Sequence, residues 1–86
     1  MRRTTAPITL ITRRNSPLCH QARRIVDHAA RRYKLAVEVV DLDAEGQAAI
    51  ERYKDEVPIV LIDGKRRFSR HVSATQLEQI LKTRRT

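Results

Sequence analysis

The sequence has one cysteine, two glycines, three prolines and no tryptophan, and its aromatic residues are only Tyr33, Tyr53 and Phe68. A lone thiol cannot close an internal disulfide, which places the chain outside the disulfide-stapled secreted class and suits a reducing compartment. So few aromatics cannot build a base-stacking platform, and single-strand nucleic-acid binding of that kind is set aside. No apolar run approaches the roughly 18 residues of a membrane span. Met1-Arg2-Arg3 leads into polar residues instead of a signal-peptide core. A cytoplasmic location without a membrane partner is therefore expected. Cys19, His20, His28 and His71 have no metal-ligand spacing, so no metal is expected.

What is present is the material of a small globular domain. A chain of 86 residues, 41% hydrophobic and 33% charged, has enough apolar surface for a single small core. One domain over residues 1–86 is expected, ordered from about residue 6 to about residue 83, and a monomer. The formal charge of +8 is unevenly spread. Glu38, Asp41, Asp43, Glu45, Glu51, Asp55 and Glu56 gather mid-chain, while arginine pairs such as Arg13-Arg14, Arg23-Arg24, Arg31-Arg32 and Arg66-Arg67 flank them. Such pairs could attract nucleic acid or another polyanion. No nucleic-acid motif accompanies them, and a solvated basic surface is the plainer alternative.

Ile8 to Thr12 reads as a strand of β-branched and apolar residues around Leu10. Ser16 is a favoured N-cap and Pro17 a favoured first helical residue; Leu18, Ala22, Ile25, Val26, Ala29 and Tyr33 then recur at helical spacing to about Tyr33. Val37 to Leu42 is a second strand, after which Asp43 is expected to cap a short helix carrying Ala48, Ala49, Ile50 and Tyr53. A crossover of this kind requires the two strands to be parallel. The apolar run Pro58 to Ile62 suits a strand buried on both faces, and Asp63-Gly64 signals a tight hairpin to a polar strand from Lys65 to Ser69. Ser73 and Gln76 form a capping box for a last helix with Leu77, Ile80 and Leu81 inward. The expected order is βαβαββα.

Cys19 lies on the apolar stripe of the first helix, three residues before Ala22 and seven before Val26. A helix N-terminus and neighbouring cations favour a thiolate, whereas apolar burial opposes it. Burial is expected to win and to leave a slow, inward-facing thiol. Arg13, Arg14 and Arg70 could converge at the N-terminus of this helix to hold a carboxylate, or could be ordinary surface arginines.

The element order, with Thr12-Arg13-Arg14-Asn15-Ser16-Pro17-Leu18-Cys19 after the first strand, Glu56-Val57-Pro58 before the third and Ile62-Asp63-Gly64-Lys65 after it, resembles the glutaredoxins, in particular their short bacterial glutaredoxin-like relatives. The resemblance covers nearly the whole chain. It implies a thioredoxin-like α/β fold, a four-stranded mixed sheet with helices on both faces, and a cis Pro58 beside residues 16 to 19. The family's loop is Cys-x-x-Cys. Here Ser16 stands at the nucleophile position and Cys19 at the resolving one, so dithiol cycling within one chain is excluded. His20 is the only adjacent base for Ser16, and no acid follows to orient it.

By the same resemblance, Arg13 and Val57 match two parts of the family's glutathione site. Phe68-Ser69-Arg70-His71-Val72-Ser73 lacks the glycines and the aspartate of the third. Arg13, Pro17, Val57 and Pro58 are the implied substrate-contacting positions, and Arg70, in the departing segment, is added as a cation that could attract a carboxylate. Glutathione as co-substrate, or a disulfide-containing protein or peptide, is the implied partner, with no bound cofactor. Two function classes remain open: a thiol-disulfide oxidoreductase homologue with weak or lost activity, and a non-catalytic module that binds an extended peptide or an anionic partner through its basic face.

Overall fold

A computed structural model of the protein describes residues 6–84. Its strands are β1 (Ile8–Thr12), β2 (Val37–Asp41), β3 (Ile59–Ile62) and β4 (Lys65–Ser69), and its helices α1 (Pro17–Tyr33), α2 (Gln47–Tyr53) and α3 (Ala74–Thr83). They follow one another as βαβαββα, with a 3₁₀ turn at Leu42–Ala44 before α2. The sheet runs β2-β1-β3-β4, with β1 parallel to β2 and antiparallel to β3, and β4 antiparallel to β3.

The register sorts side chains by face. Leu10 lies opposite Val39 on one side and Val60 on the other, and Ile8 opposite Val37 and Ile62, so these residues share one face of the sheet. There Ile8, Leu10, Val60 and Ile62 meet Ala22, Val26 and Ala29 of α1 and Leu77 and Leu81 of α3. The opposite face brings together Ile11, Val40 and Ile59 with Leu42, Val57 and Cys19, against which Ile50 and Tyr53 of α2 pack. Helices thus cover both faces, and the class is the thioredoxin-like α/β fold.

Local chemistry accounts for most boundaries. Ser16, in extended backbone, accepts the Cys19 N–H at 3.3 Å, and Pro17 follows at the first helical position. Asp63 and Gly64 both take positive φ, 51° and 82°, as a two-residue hairpin of the primed type requires. Ser73 accepts the Gln76 N–H at 3.2 Å at the start of α3.

Three details differ from the sequence reading. Asp43 does not cap α2: Gly46, at φ 102°, precedes that helix without a side-chain cap, because the Asp43 carboxylate is taken up by the loop after β1. Asp41 caps the preceding 3₁₀ turn, accepting the Asp43 N–H at 3.0 Å, so β2 ends one residue early and Leu42 turns inward, fully buried. Pro58 lies just before β3 and not within it, since it has no N–H to offer a ladder.

Candidate active-site cleft

Three segments meet at the end of the sheet where β1 finishes. The first is the β1–α1 loop, in which Arg13 and Arg14 leave the strand and Asn15 turns the chain at φ 56° before Ser16 caps α1. Asparagine is among the few residues that take this left-handed conformation readily. The second runs from the end of α2 through Lys54 to a cis Val57–Pro58 bond. The third is the turn after β4, where the Arg70 N–H donates to the carbonyls of Pro58 (2.8 Å) and Glu56 (3.1 Å) and ties that turn to the proline segment.

Together they enclose an open cleft of about 830 Å³. Arg13, Ser16, Val57 and Arg70 line it, as do Arg14, Asn15, Leu18, Asp43, Lys54 and Asp55. Five of the residues singled out from sequence, Arg13, Arg14, Ser16, Val57 and Arg70, are thereby brought together. The other three sit behind or beside the cleft: Pro58 is fully buried, Cys19 is buried beneath the loop, and Pro17 is exposed at the start of α1 without lining it.

Ser16 is occupied as a cap. Its hydroxyl oxygen accepts the Cys19 N–H, its carbonyl accepts the His20 N–H at 2.9 Å, and among the described residues no side chain hydrogen-bonds to its Oγ. A serine hydroxyl without a general base is a poor nucleophile at neutral pH. Cys19 is fully buried, but its surroundings are not those of the helical stripe. It packs with Ile11, Val40, Leu42, Val57 and Ile59 on the α2 side of the sheet, apart from Ala22 and Val26, and its Sγ accepts the Arg13 N–H at 3.4 Å. The first turn of α1 lies at the sheet's end, where a side chain reaches round to the second face.

The three arginines differ in circumstance. The Arg13 Nε and Nη2 donate to one oxygen of Asp43 at 3.1 and 2.8 Å, and the Arg14 N–H donates to the other at 3.1 Å. The Arg13 guanidinium, and secondarily the Arg14 N–H, hold the Asp43 carboxyl below its usual range, while the Asp43 contact raises the already high Arg13 value further. Arg14 spends its side chain on Asp41, at 2.9 Å. Arg70 is exposed, and among the described residues its guanidinium has no partner. Its backbone is left-handed at φ 72°, the conformation glycine takes most cheaply. The Val57 N–H is spent on the Tyr53 carbonyl at 3.2 Å, which leaves the Val57 carbonyl as the group that an incoming backbone could engage.

Sequence reasoning missed Asp43 as part of this cleft. A signal for it exists: β1 and β2 run parallel and in register to Thr12 opposite Asp41, so Arg13-Arg14 and Leu42-Asp43 must leave the sheet side by side. Lys54, Asp55 and Leu18 carry no such signal.

The sheet order, the helices on both faces and the cleft between the first loop and a cis proline define a thioredoxin-fold domain. Within that class, the glutaredoxin-like domain family (DUF836) matches residues 7–82, and the chain belongs to it. Among solved structures, the glutaredoxin from Archaeoglobus fulgidus is similar at a TM-score of 0.63 and 16% identity, over 90% of this chain and 87% of that one. Wheat glutaredoxin is similar at 0.54 and 20%, over 91% of this chain and 73% of its own. At such identities the likeness is one of fold. No curated protein matches the sequence.

Proposed function

We propose that the protein is a glutaredoxin-like homologue of the thiol-disulfide oxidoreductases whose redox step is weak or lost, because Ser16 occupies the nucleophile position and Cys19 the resolving one. The observation that carries this reading is the state of Ser16: it faces the cleft beside Val57 and Arg70, yet its oxygen serves as a helix cap, and among the described residues no side chain hydrogen-bonds to it. The burial of Cys19 supports it further, since a thiol without exposed surface cannot take over the attack. Glutathione, or a disulfide-bearing peptide, is the ligand proposed for the cleft. Arg70 would meet a carboxylate, and the Val57 carbonyl would accept a backbone N–H. A reducing, cytoplasmic setting fits a buried free thiol. Among the described residues no helix is long and apolar enough to cross a membrane.

A non-catalytic binding role is the second reading, and the spent Val57 N–H favours it, because half of the backbone docking edge is already used. The loss of the redox step, which both readings share, is tested in a disulfide-reduction assay. With a small mixed disulfide and excess glutathione, the protein is expected to add nothing measurable to the rate given by glutathione alone. A clear rate enhancement that disappears in Cys19→Ser would instead establish Cys19 as a working thiol and overturn the proposed loss.

A further inference from the structure

Arg13 and Arg70 line the same cleft; the Arg13 guanidinium is held by Asp43, and that of Arg70 has no partner among the described residues. A ligand carboxylate or phosphate approaching the β1–α1 loop would seek the guanidinium fork of Arg13 and the first free backbone N–H beyond it. Both are taken by one side chain: Asp43 Oδ1 accepts from Nε and Nη2 of Arg13, and Oδ2 from the Arg14 N–H. We propose that Asp43 is a built-in competitor, a carboxylate of the chain itself that occupies the anion-binding wall of the cleft and must be displaced before a ligand's anionic group can use Arg13. The inference rests on the reading of this cleft as a ligand site.

Asp43 is suited to that role by how it is held. It sits on a 3₁₀ turn held by fully buried Leu42 and by the Asp41 cap on its own N–H, contacts that do not involve Arg13. Its side chain and that of Arg13 keep 24% and 35% of their surface exposed, enough for an exchange of partners in water. Across the cleft the Arg70 guanidinium has no partner among the described residues. The arrangement suits a ligand with two anionic groups, one meeting Arg70 at once and the other competing with Asp43. Single-anion ligands would be held at one end only.

The test compares the parent, Asp43→Asn, Arg13→Ala and the double variant, titrated with S-methylglutathione and followed by amide and arginine Nε resonances. Asparagine keeps an acceptor for the Arg14 N–H while removing the charge. Asp43→Asn is expected to bind about tenfold more tightly than the parent, and the gain is expected to vanish when Arg13 is also removed. A purely structural role for Asp43 would not make its gain depend on Arg13. Binding no tighter than the parent, or a gain that survives without Arg13, overturns the proposal. If S-methylglutathione binds none of these proteins, the glutathione reading fails by itself, and inorganic phosphate decides the matter. Phosphate that shifts the Arg13 Nε and Arg14 amide signals in Asp43→Asn but not in the parent upholds the competitor, and no response in either overturns it.

Discussion

On the α1 and α3 side the sheet meets a continuous apolar layer, in which Leu10, Val26, Val60 and Leu77 are all fully buried and, among the described residues, no charged side chain is buried. On the α2 side the apolar layer is smaller, ends at Cys19 and Val57, and borders directly on Arg13, Asp43 and the cleft. The first face holds the fold and the second holds the site. The division means that stability and site chemistry should respond to different substitutions.

The largest separation is expected from Leu77→Ala. Leu77 has no exposed surface and lies where α3 packs on the first face. Its truncation should cost about 2–5 kcal/mol, a large share of what a domain of this size has. Chemical denaturation measures the loss, while the bound-state shifts of cleft residues should be unchanged in the folded fraction. Altered ligand shifts at Arg13 or Arg70 in that variant would break the division between faces.

Arg70→Gly sharpens it from the other side. The left-handed backbone at φ 72° is a conformation that an arginine holds at a cost and a glycine does not. The variant should gain about 0.5–1 kcal/mol in stability and lose affinity for anionic ligands, an exchange of stability against site function. If it is less stable than the parent, the side chain contributes packing that the exposed Arg70 does not suggest.

A smaller effect is expected with pH. Arg13 and the Arg14 N–H hold Asp43 below its unfolded value, so the stabilisation is complete above about pH 4 and is lost as pH falls through the lower folded value. The difference in melting temperature between the parent and Asp43→Asn should therefore hold above about pH 4 and shrink steadily as pH falls below it. A difference that is constant over that range would mean the charge of Asp43 contributes nothing to the fold.

Elements specified by their own residues were legible in the sequence. β1 and β4, the Ser16-Pro17 start of α1 and the Asp63-Gly64 hairpin each depend on local propensity or turn chemistry, and each lies where those rules put it. Arg13, Ser16 and Val57, singled out through the loop and proline segments, and Arg70, singled out by its charge, line one cleft. What stayed hidden depends on through-space competition. Asp43 reads locally as a helix cap, and only the parallel register of β1 and β2 reveals that Arg13 outbids the helix for its carboxylate. Cys19 reads as a member of the α1 stripe, yet the first turn of that helix overhangs the sheet's end and delivers its thiol to the opposite core. The left-handed Arg70 breaks the local preference outright, being fixed by the two hydrogen bonds from its N–H to the proline segment.

The central claim is that the scaffold of a thiol-disulfide site persists here without its nucleophile, and Ser16→Cys tests it most directly. Losing the serine cap should cost about 1 kcal/mol, so the variant should stay folded. The introduced thiol would lie at a helix N-terminus, which favours its ionised form, with Cys19 three residues on. Rates of reduction of a small mixed disulfide and of a protein disulfide are compared for the parent, Ser16→Cys, and Ser16→Cys combined with Cys19→Ser. Ser16→Cys is expected to be clearly faster than the parent on at least one substrate. A folded Ser16→Cys protein no faster than the parent on either would contradict it and leave the binding role as the function of the cleft.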